Sequence, residues 1–345
     1  MNPPLDPRPG PQTTATGAPH WEIELPASLP QNGYLFRATA AGDGLCAIEL
    51  RPAGNHLLVA RDADGTWSTV TELPYIGMTS WTVISATGLD NVWVSAGDAH
   101  TVWQWNGTAW SEHTVPDTDF YPRTYAVAAA GGRAWATTYR SSDSPAYSHF
   151  DGSQFTALPR LESNIWHIGT MTTDDAGNLW VAGDSIDGSS LCRWDGTDWK
   201  VWDMPDQLWA RDVTVGSPDD VWVVGSANDG GSIGFDTTLS AHFDGTTYAL
   251  VDAYSVDGVM TEVIFHQDRW LSLVTPQFDG MTYRIVAWTG STWTNEAIPP
   301  VHPGWYISAY NLVLAGDTAL VTGAEAEAEA KSQDDYRPYA ARRDT

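Results

Sequence analysis

The chain has 345 residues, with 43 Asp+Glu against 17 Lys+Arg, a formal net charge of −26, and 19 Trp. So acidic a chain lacks the cations that a duplex nucleic-acid surface needs to displace phosphate counterions. Aromatic residues at 12% exclude global disorder, and no run of about 18 apolar residues is present to form a membrane-spanning helix.

The first twenty residues, MNPPLDPRPGPQTTATGAPH, are rich in Pro, Thr and Gly and show no basic stretch followed by an apolar one. They predict a mobile tail over 1–19, no signal peptide, and a single domain over 20–345. Two cysteines, Cys46 and Cys192, are too few for a disulfide framework or a zinc site and read as buried thiols. A cytoplasmic location is the expectation that follows, with no cofactor and no metal.

After the tail comes a short strand pattern, WEIELP, over Trp21–Pro26. The body is then built from one repeat: aromatic, Asp/Asn/Thr, Gly, Thr/Ser, any residue, aromatic. A weak copy, ADGTW, ends at Trp67. Full copies follow as WNGTAW (Trp105–Trp110), FDGSQF (Phe150–Phe155), WDGTDW (Trp194–Trp199), FDGTTY (Phe243–Tyr248) and WTGSTW (Trp288–Trp293). Their glycines, at 65, 107, 152, 196, 245 and 290, are 42, 45, 44, 49 and 45 residues apart. Asp-Gly or Asn-Gly between aromatic strand segments is a strong hairpin signal, because tight hairpin turns need positive φ.

A second marker precedes each turn. NVW, RAW, NLW, DVW and DRW place Trp93, Trp135, Trp180, Trp222 and Trp270 just after a predicted turn, itself preceded by a run of small or β-branched residues. Each unit therefore reads as four short strands, A to D. Four strands at a period near 45 indicate a β-propeller blade. The last unit, from Trp305, has three strands, and WEIELP supplies a fourth. The predicted architecture is all-β: a seven-bladed propeller, four antiparallel strands per blade, closed by the N-terminal strand in the last blade.

The WDGTxW units resemble propeller repeats common in actinobacterial proteins and are broadly similar to kelch and galactose-oxidase-like propellers. The single-chain, seven-blade layout also resembles streptogramin lyases. The resemblance covers residues 20–345 and rests on structural positions, so it implies the fold and not a reaction.

In such a fold the A–B and C–D turns share one face, and here they are short: GLDN, DAGN and SPDD, and the Asp-Gly, Asn-Gly and Thr-Gly turns. The B–C loops vary: YRSSDSPA (139–146), GDSIDGSS (183–190), SANDGGSIGFDTT (226–238), TPQFDGMT (275–282) and GAEAEAEAKSQDD (323–335). Long variable loops on a rigid scaffold carry function, which places the site on the B–C and D–A face. The Glu-Ala run at 323–330 reads as a solvated loop.

The D–A connections lead into the inner strands and carry the candidate residues. Tyr34, Arg37, Trp81, Tyr121, Arg123, Trp166, Trp209, Trp305 and Tyr306 form the expected ligand-binding set. His167, Arg211, Asp212 and Glu262 form the expected catalytic set, with the two carboxylates on adjacent blades suited to acid–base work. For Asp212 and Glu262 the plain structural alternative is pairing with Arg211 or another mouth arginine. Asp62-Ala-Asp64-Gly65 begins like a calcium loop but lacks the later oxygen ligands.

Three functional readings follow. The first is a small-molecule site at the channel mouth for a cationic or aromatic metabolite, with a non-redox lyase, cyclase or isomerase step if it is catalytic. The second is a protein-interaction scaffold without catalysis. The third is a glycan-binding lectin, disfavoured because the mouth residues differ from blade to blade. No nucleic-acid or membrane partner is expected.

Overall fold

The computed structural model of the chain describes residues 21–24, 29, 33–51, 56–74, 82–95, 100–116, 123–139, 145–162, 165, 167–185, 188–205, 208–227, 238–251, 258–267, 269–276, 283–298, 305–327 and 336–343. They form seven four-stranded antiparallel sheets, with no helix among the described residues. Six sheets take their strands in sequence order. The seventh runs from Trp21–Ile23 through Arg337–Arg343 and Thr318–Glu327 to Trp305–Ala315.

The inner A strands of blades 1 to 7 are Tyr34–Ala41, Ile84–Gly88, Arg123–Ala130, His167–Thr173, Leu208–Ser217, Val259–His266 and Trp305–Ala315. Each touches the inner strand of the blade before and after it, so the seven surround one axis.

The repeat sequence explains the outer hairpins. Gly65, Gly107, Gly152, Gly196, Gly245 and Gly290 all adopt φ between 86° and 102°, a region that favours glycine. The residue before the glycine then caps the turn. Asp195 Oδ1, for instance, accepts from the Thr197 and Asp198 amides at 3.0 Å each. The tryptophans of the B strands explain the core. Trp93, Trp135, Trp180 and Trp222 are buried, and each packs against the hydrophobic face of the next blade. Cys46 and Cys192 are free, buried, and lie in blades 1 and 4.

The N-terminal strand closes the ring as expected. Trp21, Glu22 and Ile23 pair with Arg343, Arg342 and Ala341. The pairing continues where the Glu24 amide donates to the Ala340 carbonyl at 2.9 Å. The same segment is also fastened sideways at both ends. Trp21 Nε1 donates to Glu296 Oε2 of blade 6 at 3.0 Å. Glu24 accepts from Arg61 Nε and Nη2, and from Trp67 Nε1 at 2.9 Å, all in blade 1. Four residues, 21–24, thus hold blades 6, 7 and 1 together.

Two loop assignments need correction. The 183–190 segment is mostly strand, since Leu179–Ser185 and Gly188–Trp194 pair up to Ser185 and Gly188. The Glu-Ala run is not wholly a solvated loop either. Strand Thr318–Glu327 continues through Ala324, Glu325 and Ala326, all buried, before the described residues end. Alternating Glu and Ala has the two-residue period of a strand, and pairing with Arg337–Arg343 outweighs the exposed-loop preference of glutamate. The tail over 1–19 and most residues of the other B–C loops lie outside the described residues.

Candidate functional site at the channel mouth

Antiparallel order places the B–C loops and the D–A connections on one face, where every inner strand begins. Near that face six inner strands carry one extra residue. Register against the B strand slips between Leu35 and Arg37, Thr124 and Ala126, Ile168 and Thr170, Ala210 and Asp212, Met260 and Glu262, and Ala309 and Asn311. Such bulges re-aim the side chains around them. In blade 5 the close approach is made possible by Gly225. A Cβ there would sit 1.8 Å from the Trp209 carbonyl oxygen.

Arg37, Thr170, Asp212, Glu262 and Asn311 follow the bulge in their blades, and they link into a belt around the channel. Thr170 bonds the Asp212 side chain. Asp212 Oδ2 accepts from the Val263 amide of blade 6 at 2.9 Å. Glu262 Oε2 accepts from the Leu312 amide of blade 7. Asn311 Oδ1 accepts from the Ala38 amide of blade 1 at 3.1 Å, and Arg37 Nε donates to the Thr82 carbonyl at 3.0 Å. Burial pushes the Asp212 pKa up to about 7. Burial, with the Asp212 charge adding to it, holds Glu262 well above its ordinary value. The two carboxyls proposed as an acid–base pair therefore each bind a backbone amide of the following blade. Asp212 is joined to Thr170 and Val263, and the carboxylate facing Arg211 is Asp184.

This arrangement has a measurable consequence. A carboxyl whose folded pKa is raised contributes its full stability below its unfolded value and loses it as pH rises through the folded one. Glu262→Gln keeps an oxygen for Leu312 and removes the titration. The variant is expected to match the wild type near about pH 4 and to exceed its melting temperature near about pH 8. Parallel pH profiles for the two proteins would refute this account of Glu262.

Beside the belt lie aromatic side chains paired with arginines, one of which is the belt's own Arg37. The Arg211 guanidinium carbon is 5.4 Å from the Trp209 ring centroid. Arg37 lies 4.9 Å over Phe36, and Arg337 lies 4.9 Å over Trp305. Arg211 is supported from behind by Asp184, a residue the sequence reading did not single out. Asp184 Oδ1 accepts from Ser189 Oγ at 2.6 Å and from the Ala210 amide at 2.8 Å, and burial pushes its pKa up to about 6. Burial lowers the Arg211 pKa, and the Asp184 charge opposes that shift.

A second group joins blades 6, 7 and 1. The Tyr34 ring centroid is 5.5 Å from Tyr310, 5.9 Å from Tyr336 and 6.3 Å from Phe36. Tyr283 and Tyr310 both bond the Ser308 side chain, and burial raises Tyr310 to about 12, so its phenol stays neutral. Of these tyrosines the sequence pointed only to Tyr34. Tyr283 and Tyr336 sit just before C strands, and Tyr310 is the bulge residue; no spacing in the repeat marks them.

Trp305 stands at the rim, and Tyr306 beside it is 53% exposed. Trp81, Tyr121 and Trp166 lie outside the described residues. Arg123 and His167 open the inner strands of blades 3 and 4, but their side chains lie outside the described set. Among the described residues no cluster of three His, Cys, Asp or Glu side chains is arranged to hold a metal ion. No described helix is long and apolar enough to cross a membrane.

Neither a family model nor a curated protein sequence matches the chain. Solved structures do match its fold. One is a catalytically inactive virginiamycin B lyase from Staphylococcus aureus with quinupristin: 12% identity, 95% of this chain and 100% of that chain covered, TM-score 0.65. A second is YCF48 bound to D1 peptide: 14% identity, coverage 94% and 96%, TM-score 0.57. A third is the SapL1 lectin in complex with alpha methyl fucoside: 14% identity, coverage 80% and 99%, TM-score 0.52. The likeness to a streptogramin-lyase type of propeller is thus one of fold. Neighbours with such different ligands show the fold and do not choose among functions.

Proposed function

We propose that this protein binds a small, ring-bearing molecule with an anionic group at the loop-rich mouth of its channel. The observation that carries this is the set of guanidinium–aromatic pairs, Arg211 with Trp209, Arg37 with Phe36 and Arg337 with Trp305, all on that face. An aromatic ring with an arginine against it repels a second cation, so the cationic-or-aromatic expectation narrows to an aromatic ligand. A planar guanidinium suits a carboxylate or phosphate, and the aromatic rings suit stacking. The pairs occupy different blades with different neighbours, which favours one asymmetric site over seven equivalent ones. Because Asp212 and Glu262 are joined to neighbouring blades, binding without a lyase-type step is the reading we adopt.

The test is a thermal-shift and calorimetric comparison of aromatic carboxylates with aromatic amines of the same ring. Carboxylates are expected to bind in preference. Trp209→Ala is expected to weaken the best of them by roughly 1–3 kcal/mol. Preference for the amines, no binding by any member of either set, or unchanged affinity in both Trp209→Ala and Tyr306→Ala would overturn the proposal.

A further inference from the structure

Away from the mouth, near the opposite face, a buried network meets where the ring closes. Arg343, at the end of the C-terminal strand, donates to Glu296 from Nε to Oε2 and from Nη2 to Oε1, both at 2.9 Å. Trp21 of the N-terminal strand donates to the same Glu296 Oε2 at 3.0 Å. The third nitrogen of Arg343, Nη1, lies 3.2 Å from Nδ1 of His266, at the end of the blade 6 inner strand. The other ring nitrogen, Nε2, is 2.9 Å from the Asp317 carbonyl oxygen in the A–B turn of blade 7.

These contacts assign the proton. Arginine has only donors, so Nδ1 is an acceptor and carries no hydrogen. A carbonyl only accepts, so Nε2 carries the hydrogen. His266 is 2% exposed and therefore sits as a neutral imidazole wedged between blades 6 and 7. A second proton on Nδ1 would face an arginine N–H, donor against donor and charge against charge. It would also strip Arg343 of its contact with blade 6 through His266.

We propose that His266 is an acid-sensitive latch on the ring, whose protonation removes one of the holds of Arg343 on blade 6, leaving the Glu296 pair, and so loosens the N-terminal strand that closes the propeller. The charged groups facing it are Arg343, which disfavours the imidazolium, and Glu296 and Asp317, which favour it. Arg269 opposes it across the A–B hairpin. Burial is the largest influence, and the net direction is downward. A lowered folded pKa means that the latch contributes fully above about pH 6.5, the unfolded value, and is lost as pH falls through the folded one. The ligand site plays no part in this, so the latch stands or falls separately from it.

Hydrogen exchange resolved by segment tests the latch. After correction for intrinsic rates, the strands Trp21–Ile23 and Arg337–Arg343 are expected to open about tenfold more at about pH 5 than at about pH 7.5. The strands of blades 2 and 3 are the internal control. They carry His113 and His149, whose pKa values burial also lowers. In His266→Gln, whose amide can donate to Asp317 and accept from Arg343, the acid-dependent opening of the closing strands is expected to vanish. An NMR titration of the wild-type imidazole is expected to fall below the ordinary histidine value, whether or not the variant folds. An equal acid response in every blade, the same opening in His266→Gln, or a His266 titration at or above the ordinary value would overturn the proposal.

Discussion

Deletion of residues 1–27 is expected to destabilise the protein by several kcal/mol and to promote association, while deletion of residues 1–18 leaves it close to the intact chain. The longer truncation removes Trp21, which is 1% exposed and packs among Leu271, Ile285, Leu312 and Tyr339 of blades 6 and 7. Loss of a buried tryptophan side chain typically costs about 3–5 kcal/mol. It also removes Glu24, the partner of Arg61, which is 3% exposed and would be left as a buried charge. The edge of strand Arg337–Arg343 loses its neighbour and becomes a template for another chain. Thermal unfolding and light scattering read both effects. Equal melting temperatures for the two truncations would show that the closing strand is dispensable.

Glu296→Ala is expected to cost about 3–5 kcal/mol, because it strands the Arg343 guanidinium inside the protein. Both side chains of that pair are only 4% exposed. The neighbouring pair, Arg342 with Glu22, offers the contrast. It is 2.7 Å long, but both side chains are 46% exposed. Water and salt screen it, so Glu22→Ala is expected to change stability by about 0–1 kcal/mol. Replacing both members of the buried pair, Glu296→Leu with Arg343→Met, is expected to be milder than Glu296→Ala alone, since no charge is then left unpaired. Denaturant unfolding of the four proteins checks this. If Glu22→Ala and Glu296→Ala proved equally mild, burial would not be what gives the Arg343 pair its weight.

Much of the architecture was legible in the sequence. Asp-Gly and Asn-Gly between aromatics determined the outer hairpins, since the turn chemistry is local: a side-chain cap followed by a residue with positive φ. The B-strand tryptophans marked the inter-blade core, because apolar bulk at a fixed place in each repeat has only the next blade to pack on. Three strands at one end and a spare WEIELP at the other determined the closure.

The chemistry of the mouth was decided elsewhere. Asp212 and Glu262 were visible as neighbouring carboxylates, but nothing local says that bulges aim them at the Val263 and Leu312 amides. The Tyr34, Tyr283, Tyr310 and Tyr336 group joins blade 1 to blades 6 and 7 at the other end of the chain, and the Trp21, His266, Glu296 and Arg343 network likewise brings the N-terminal strand to blades 6 and 7. Glu325 shows the same limit on a smaller scale: read alone its segment is a solvated loop, and pairing made it strand. The sequence by itself thus determined the blade count, the hairpins and the ring closure, because those follow from short-range backbone preference and a repeated apolar pattern. Only the tertiary structure decided which polar groups meet, because bulge geometry, burial and cross-blade distance set their partners and their charge.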